Sequence, residues 1–448
     1  MRRIPAALAL LLVAVPAAAG CEGSGRDPGT VKVVYQDFGA FRAADLLFQR
    51  VKEEFEAANE GVTVELHPIE APPEDYQTQV NLMNQSPADA PDIIYEDSFT
   101  INQDVDAGYL HPLDEYWSEW EDAELYNEQA DAAVTALDGG RYGVMLGTDT
   151  RGLWYNTRLF EEAGVDVPWR PEDWEAVLDT ARDLDGELGD EVTPLSVYAG
   201  TPAGEVSSMQ GFQMLLSGTG DVLFDEEEQK WVTGTQGFVD SLEFIGTVYG
   251  EDLALDQRDA LNANVATLNN DERIPAGEVA ISLDGSWATQ SWIESGNQPW
   301  PEWEEEMAFA PMPTQEGQDP GATSMSGGWT LAMGAHTADP DLAWRVMAHA
   351  LSRENALEFA VEGAQIPVRS DVAESEEYRE RSPIVPEAVE LVDVTHFRPA
   401  YSDYPRISLA IQEATEQVVL GEATPEEAAA AYDAEVAEIV GPDAVTGG

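Results

Sequence analysis

Most residue patterns that would support covalent or metal chemistry do not occur in this 448-residue sequence. The five histidines are scattered, and no H-E-x-x-H pair is present to hold zinc. The sequence also has no G-x-S-x-G motif for a nucleophilic serine, no P-loop and no complete dinucleotide-binding glycine motif. The single cysteine, Cys21, excludes disulfide frameworks and paired-thiol redox chemistry. We therefore expect no cofactor and no metal site.

Carboxylates are the abundant chemical group, with 86 Asp and Glu residues. Glycoside hydrolysis needs two carboxyl groups about 5 to 9.5 Å apart, so spacing in so acidic a chain neither supports nor excludes that activity. One carboxylate has a defined position. Residues 91–97 predict a buried strand that ends in acidic residues, and the carboxyl ends of strands in an open α/β sheet face the ligand crevice. Asp97 is therefore a site candidate, and a solvated turn carboxylate is the alternative.

Charge excludes another class of partner. With 22 Lys and Arg residues the formal net charge is −64, and affinity for nucleic-acid phosphates comes largely from Lys and Arg replacing counterions. We therefore expect no nucleic-acid partner. Lysine occurs only at Lys32, Lys52 and Lys230. Molar salt shortens the Debye length to about 3 Å and screens such a surface, so the composition favours a halophile-like or alkaliphile-like exterior over an acidic protein of no special habitat.

The first twenty residues have the pattern of an export signal. Arg2 and Arg3 precede an apolar stretch, residues 4–19, that is shorter than the roughly 20 apolar residues of a membrane span. Small residues lead directly to Cys21, as in a bacterial lipobox, although Ala18 stands where Leu is usual. We expect residues 1–20 to be a signal peptide and residues 21–30 a lipidated cysteine with a flexible tether. An ordinary secretory signal with a chance cysteine is the alternative.

Strand and helix patterns alternate after the tether. Residues 31–35 and 62–66 predict strands, and apolar residues at helical spacing lie between them, which predicts a βαβ unit. Residues 142–156 predict two short strands around a polar bend, and helical patterns dominate from residue 341. The 43% hydrophobic content is enough to fill a large core. The sequence therefore predicts an α/β protein with more than one domain.

Several pieces of the sequence resemble the extracellular (family 1 type) solute-binding proteins of carbohydrate ABC importers, which include maltose- and trehalose-binding proteins. These pieces are Thr148-Asp149-Thr150-Arg151-Gly152-Leu153-Trp154-Tyr155-Asn156 with Leu159-Phe160-Glu161-Glu162-Ala163-Gly164, Asp284-Gly285-Ser286-Trp287, Gly327-Gly328-Trp329, and Arg398-Pro399-Ala400-Tyr401 with Tyr404-Pro405. The resemblance implies a two-lobed, type II periplasmic-binding-protein-like fold with an interlobe ligand cleft. We place lobe 1 at 31–147 plus 311–343 and lobe 2 at 148–310 plus 344–448, with crossings near 146–149, 310–313 and 341–344.

Sugar recognition gives the aromatic residues in these pieces a physical role. Pyranose rings pack their C–H faces on indole rings, and their hydroxyl groups require dense donors and acceptors. Trp287 and Trp329 each follow small residues in a loop, which favours binding platforms over ordinary core aromatics. Trp154 is flanked by strand residues, so we expect it in the core.

The resemblance also implies roles for polar residues. Asp97 and Asp149 would accept hydroxyl protons from the sugar, and Arg398 would donate from the second lobe. Arg151 is either a ligand donor or a structural ion-pair partner of Asp149. The candidate ligand-binding set is completed by Gly328, Gln365 and Tyr401.

The implied function is capture of an extracellular sugar or oligosaccharide by hinge closure, in which contacts from both lobes stabilise the closed state. A lipid-anchored monomer on the outer face of the membrane would deliver this ligand to the transmembrane subunits of an ABC permease without breaking a bond in it. Two alternatives stay open. An exported glycoside hydrolase predicts turnover, and a carbohydrate-binding surface protein predicts a rigid face without a cleft. A polyol or another small solute remains an alternative ligand.

Overall fold

The structure, a computed structural model, describes residues 29–39, 41–71, 73–294 and 296–447. The predicted signal peptide, Cys21 and most of the predicted tether lie outside the described residues. None of the described helices is both long enough and apolar enough to cross a membrane. The strands are β1 (Thr30–Asp37), β2 (Thr63–Glu70), β3 (Ile93–Asp97), β4 (Gly143–Met145), β5 (Arg151–Asn156), β6 (Thr193–Ser196), β7 (Phe224–Asp225), β8 (Lys230–Thr233), β9 (Val279–Gly285), β10 (Met307–Ala310), β11 (Met312–Pro313), β12 (Ala322–Ser326), β13 (Trp329–Met333), β14 (Thr395–Phe397) and β15 (Val445–Gly447).

The α-helices are α1 (Ala43–Ala58), α2 (Pro73–Asn84), α3 (Ile101–Asp106), α4 (Asp114–Glu119), α5 (Glu128–Ala133), α6 (Thr157–Ala163), α7 (Trp174–Leu188), α8 (Met214–Thr219), α9 (Gln236–Gly250), α10 (Gln257–Ala260), α11 (Val265–Leu268), α12 (Ile274–Ala276), α13 (Thr289–Trp292), α14 (Trp303–Glu306), α15 (Pro340–Ala350), α16 (Arg353–Glu362), α17 (Ser370–Ala373), α18 (Glu376–Arg381), α19 (Pro386–Glu390), α20 (Tyr404–Val419) and α21 (Pro425–Val440). Two π-helical segments, Ser207–Gln213 and Asn269–Arg273, continue directly into α8 and α12.

A five-stranded sheet is the centre of the amino-terminal lobe, which we call lobe 1, and its strand order is β2-β1-β3-β13-β4. β1 pairs in parallel with β2 and β3, and β13 runs antiparallel to β3 and β4. Val33 and Tyr35 pack on one face of the sheet, whereas Val34 packs on the other face beside Tyr76. Because both faces are covered, the centre of β1, residues 33–35, is apolar on both sides. The predicted βαβ opening, β1-α1-β2, is confirmed.

A four-stranded sheet, in the order β10-β5-β9-β6, is the centre of the second lobe, which we call lobe 2. β5 is antiparallel to β9 and β10, and β6 is parallel to β9. Trp154 and Tyr155 are neighbours on β5 and enter separate apolar clusters, because successive side chains of a strand point to opposite faces. Trp154 is fully buried, so its predicted place in the core is confirmed.

The chain changes lobe at positions that differ in part from the predicted boundaries. The first change lies between β4, in the lobe 1 sheet, and β5, in the lobe 2 sheet. Residues 311–326 stay in lobe 2 rather than joining lobe 1, because Met312 and Met325 pack in the lobe 2 core. The chain returns to lobe 1 at Gly327 and Gly328, between β12 and β13, and not at residues 310–313.

Helices α15 and α16 also differ from the predicted division, which placed residues 344–448 in lobe 2. They bury Val346, Met347 and Phe359 in the same cluster as residues of α1 in lobe 1. The next change of lobe comes between α18, which packs on α16, and α19, whose Ala388 lies in the cluster of Trp154. An amphipathic pattern shows that a helix face is buried but not which sheet it covers, so the sequence could not assign these helices.

Candidate functional site between the lobes

Two crossing segments are hydrogen-bonded to each other where the lobes meet. The Thr148 hydroxyl donates to the carbonyl oxygen of Gly327 (2.9 Å), and the N–H of Gly327 donates to Oδ1 of Asp149 (2.9 Å). Gly328 lies in close contact with the same region, because a Cβ atom there would be 2.6 Å from the backbone carbonyl oxygen of Gly147. Gly328 therefore has a packing role at this junction, and no side chain fits in its place.

Asp149 and Arg151 form a buried ion pair. The Nη1 atom of Arg151 lies 2.6 Å from Oδ1 of Asp149 and 2.9 Å from the carbonyl oxygen of Met325. The side chain of Arg151 is 6% exposed and that of Asp149 is 12% exposed. Burial lowers the pKa of Arg151, and the charge of Asp149 opposes this change. From the sequence, Arg151 was expected to be either an ion-pair partner of Asp149 or a ligand donor. The structure shows the ion pair. The Nε atom of Arg151 is buried without a hydrogen-bond partner.

Arg398 joins the two lobes through carboxylates. Its Nη2 atom lies 2.9 and 3.0 Å from the two carboxylate oxygens of Asp97, at the end of β3 in lobe 1. Its Nη1 atom donates to Oε1 of Glu205 in lobe 2 (3.2 Å). The guanidinium carbon also lies 4.0 Å from the ring centroid of Phe99, within cation–π range. Two carboxylates therefore face one guanidinium.

The pKa values of Arg398 and Asp97 depend on their burial and on the presence of two carboxylates, Asp97 and Glu205, beside one guanidinium. Burial by itself lowers the pKa of Arg398, but the charges of Asp97 and Glu205 outweigh it, and the net effect is a raised pKa. For Asp97, burial outweighs the nearby guanidinium and the pKa is raised. Arg398 is therefore held as a cation, while the carboxylate of Asp97 is less stable as an anion than a solvated aspartate.

Trp329 is the aromatic residue that lobe 1 brings to the junction. It is the first residue of β13 and lies opposite Asp97 in the strand register. Its ring stacks on Tyr95 with a centroid distance of 4.5 Å and an interplanar angle of 3°, and its edge meets Phe38 at 5.2 Å. It also packs against the apolar clusters on both faces of the lobe 1 sheet. Trp329 is thus partly a core residue as well as a candidate binding platform.

Trp287 is the aromatic residue contributed by lobe 2. It lies in the 3-10 turn Ser286–Ala288 directly after β9 and is half-buried. The guanidinium carbon of Arg151 is 4.6 Å from its ring centroid. A Cβ atom on Gly285 would lie 1.8 Å from Cζ3 of Trp287, so glycine lets the indole ring lie against the backbone. This explains the physical need for the small residue before the turn.

The two arginines approach the same point of the junction. A Cβ atom on Gly327 would lie 3.5 Å from Nη2 of Arg398 and 3.9 Å from Nη2 of Arg151. Asp149 and both arginines therefore lie around Gly327, and Asp97 joins them through its ion pair with Arg398. We call these four polar residues, Asp97, Asp149, Arg151 and Arg398, together with Trp329 and Trp287, the junction cluster. Trp329 of lobe 1 adjoins Asp97, and Trp287 of lobe 2 adjoins Arg151.

Two predicted site residues have other contacts. Gln365 lies near the base of the junction, packs against Gly147 and donates from Nε2 to the carbonyl oxygen of Gly363 (3.1 Å). Tyr401 instead packs on Phe224 in lobe 2, with a centroid distance of 3.9 Å, and its hydroxyl donates to Oε2 of Glu226 (2.6 Å). The structure brings Gln365 close to the crossing segments but places Tyr401 beside the junction cluster rather than within it.

Glu205 is a functional candidate that the sequence did not reveal. Besides Arg398, it accepts hydrogen bonds from the hydroxyls of Tyr404 (2.5 Å) and Ser408 (2.6 Å). It comes just before the π-helical segment Ser207–Gln213, and such segments are frequent at functional sites. One carboxylate among 86 acidic residues carries no sequence signal of its own.

Asp284 is a second such residue, on β9 beside the junction. It accepts a hydrogen bond from the Tyr198 hydroxyl (2.6 Å) and from the N–H of Gly285 (2.7 Å). Burial raises its pKa. Its place directly before Gly285-Ser286-Trp287 was the available sequence signal.

A cavity of about 420 Å³ lies beside Arg398, with walls from both lobes. Phe99 lines it from lobe 1 and Phe224 from lobe 2, whereas Trp287 and Trp329 are not part of its lining. The cavity therefore adjoins the junction cluster through Arg398. Within the described ranges, no group of three or more His, Cys, Asp or Glu side chains is arranged to hold a metal ion.

The chain is similar to known binding proteins in sequence and in fold. A curated relative from Brucella abortus, described as a binding protein, is 28% identical over 152 residues, which is 34% of this chain and about a third (35%) of the relative's length. The GacH receptor of Streptomyces glaucescens, solved unliganded and with acarbose, has 21% identity and a TM-score of 0.77, covering 93% of this chain and 100% of that one. An ABC transporter solute-binding protein from Thermotoga lettingae, bound with α-D-tagatose, has 24% identity and a TM-score of 0.77, covering 92% and 100%.

These structural likenesses show the two-lobed solute-binding fold. The sequence model of the bacterial extracellular solute-binding protein family matches residues 43–357, which is more than half of the chain and includes the first two changes of lobe, Trp287 and Trp329. This protein belongs to the bacterial extracellular solute-binding protein family.

Proposed function

We propose that this protein captures a sugar or oligosaccharide outside the cell and delivers it to an ABC permease. The observation that carries the proposal is the junction cluster, in which tryptophans from opposite lobes flank carboxylates and guanidinium groups. Indole rings suit the C–H faces of a pyranose, and charged acceptors and donors suit its hydroxyl groups. The similar proteins from Streptomyces glaucescens and Thermotoga lettingae, solved with acarbose and with α-D-tagatose, support a carbohydrate ligand.

Hinge closure is the mechanism we propose for capture. A ligand at the junction cluster contacts Asp97 and Trp329 from lobe 1, and Arg151 and Trp287 from lobe 2. Because these contacts are complete only when the lobes are together, the ligand binds the closed state more tightly and shifts the population toward it. The crossing segments around Gly327 absorb the backbone rotation.

Calorimetric titration with mono- and disaccharides and with a polyol, in buffer of high salt concentration, tests this function. We expect stoichiometric saturation by one carbohydrate class and complete recovery of the unchanged ligand. Chromatography of the recovered ligand distinguishes binding from hydrolysis, because shortened sugar products would support the exported glycoside hydrolase instead. Saturation by the polyol alone, or by none of these solutes, would refute the sugar proposal.

We also propose that Cys21 is the lipidated first residue of the mature protein. The support is the sequence position of the only cysteine, directly after Ala18, Ala19 and Gly20. Mass spectrometry of the amino-terminal peptide from native membranes is expected to show a diacylglyceryl-modified cysteine, and Cys21→Ser is expected to release the protein into the medium. An unmodified Cys21, or cleavage at another position, would contradict lipid anchoring without affecting the ligand proposal.

A further inference from the structure

Two carboxyl groups are buried together directly behind Asp97. Glu96 precedes Asp97 on β3, and Asp104 lies on α3; both residues have 0% of their surface exposed. Their side chains are within hydrogen-bonding reach of each other. The pair belongs to lobe 1 and is separate from the groups of the junction cluster.

Each of these carboxyl groups uses one oxygen for a neighbouring donor. The Thr100 hydroxyl donates to Oε1 of Glu96 (3.1 Å), and Nε2 of Gln77 donates to Oδ2 of Asp104 (2.8 Å). The other oxygens, Oε2 of Glu96 and Oδ1 of Asp104, are buried and receive no N–H or O–H donor. Two ionised carboxylates cannot satisfy each other, because neither has a proton to donate. One proton between them satisfies both oxygens.

The charged neighbours of the pair make full ionisation unfavourable. Among the described residues, Asp104 and Asp97 are the charged groups that act on Glu96, and both are acidic, while Arg398 is engaged with Asp97. Burial is the main cause that raises the pKa of Glu96 well above its ordinary value and the pKa of Asp104 to about 6. Burial and like charge therefore act in the same direction.

Two further described residues that contact this region, Tyr76 and Thr330, are uncharged. Tyr76, from α2, donates its hydroxyl to the carbonyl oxygen of Tyr95 (2.6 Å), and burial raises its pKa. Thr330, from β13, donates to the backbone oxygen of Glu96 (3.1 Å). These contacts satisfy backbone groups and bring no positive charge to the carboxyl pair.

We propose that Glu96 and Asp104 share one proton at neutral pH, carried on Oε2 of Glu96 and donated to Oδ1 of Asp104, and that this pair positions Asp97 of the junction cluster and Phe99 of the neighbouring cavity. The Thr100 hydroxyl lies within hydrogen-bonding distance of both Glu96 and the carbonyl oxygen of Asp97 (2.8 Å), and α3 starts directly after this turn. Loss of the proton to solvent leaves two negative charges in contact and loosens α3 from β3. The consequence for ligand affinity rests on the proposed function, but the consequence for stability does not.

The direction of the pH dependence follows from where the proton is bound. The folded pair keeps its proton at pH values where an unfolded Glu96, with an ordinary pKa of 4.5, has released it. The stability that the shared proton contributes to the folded state is thus fully present below pH 4.5. It is lost as the pH rises from 4.5 until the folded pair ionises.

Glu96→Gln tests the shared proton, because the amide Nε2 supplies a permanent N–H toward Oδ1 of Asp104 while Oε1 still accepts from Thr100. We expect the melting temperatures of the variant and the wild type to be closest near pH 5 and the variant to lie about 2 °C or more above the wild type near pH 8. Glu60→Gln makes the same charge change at an exposed residue and is the matched control. A difference between Glu96→Gln and wild type that does not grow with pH would overturn the proposal.

Infrared spectroscopy of the protein without ligand is a second test of the shared proton. The wild type near neutral pH is expected to show the C=O band of a protonated carboxylic acid that disappears in Glu96→Gln and that shifts or disappears in Asp104→Asn. If Glu96→Gln does not fold, the wild type and Asp104→Asn decide the question. A wild type without such a band, or a band that neither replacement changes, would exclude a proton shared by these residues.

Discussion

Replacement of Asp149 by alanine is expected to lower the free energy of unfolding by about 3 to 5 kcal/mol, because removing one partner of a buried ion pair leaves the other charge uncompensated. Arg151 is 6% exposed and lies 2.6 Å from Oδ1 of Asp149. Without that carboxylate, the guanidinium keeps its bond to the Met325 carbonyl oxygen, which is neutral. The N–H of Gly327 also loses its acceptor, at the cost of a buried unsatisfied donor.

Urea denaturation at one fixed salt concentration measures this effect. Asp179→Ala is the matched control, because Asp179 lies 2.9 Å from Arg182 on the surface, and exposed pairs contribute about 0 to 1 kcal/mol. The double replacement Asp149→Ala with Arg151→Met is expected to cost less than the sum of the single changes, since neither charge is then left alone. A loss for Asp149→Ala no larger than that of the control would show that the pair is effectively solvated.

Replacement of Trp287 by alanine is expected to weaken carbohydrate binding by about 2 to 4 kcal/mol, which is roughly 30-fold or more in Kd, with little change in the melting temperature of the free protein. Trp287 is half-buried in a turn of lobe 2, and its ring lies beside the guanidinium of Arg151. Its loss removes a platform for the sugar without opening a large cavity in a core. Calorimetric titration of the folded variant measures the affinity.

Replacement of Trp329 is expected to have a different effect from replacement of Trp287, although the sequence analysis assigned both tryptophans the same role. Because Trp329 stacks on Tyr95 and packs against both apolar clusters of lobe 1, Trp329→Ala should lower both the affinity and the melting temperature. Trp120→Ala is a control of the same residue type, since Trp120 packs on Trp117 and Trp344 elsewhere in lobe 1; it should lower stability only. Unchanged affinity in folded Trp287→Ala would remove Trp287 from the ligand site.

The sequence by itself determined those features that depend on local pattern. The βαβ opening followed from period-two and helical spacing, and the burial of Trp154 followed from its strand neighbours. Asp97 was a candidate because it ends a buried strand, and the carboxyl ends of strands in an open α/β sheet face the ligand crevice. The small residue before Trp287 marked a turn in which the indole ring lies against the backbone.

The tertiary structure alone decided which partner each group has. Arg398 lies between Asp97 and Glu205, which are remote from it in sequence. For Arg151, the sequence left two roles open, and the fold pairs it with Asp149. Residues 311–326 join lobe 2 through core contacts that their local pattern does not specify. Burial sets the strength of a charge pair and the pKa of its members, and burial is a property of the packed fold. An acidic residue such as Glu205 therefore gains its role only when folding brings Arg398 to it.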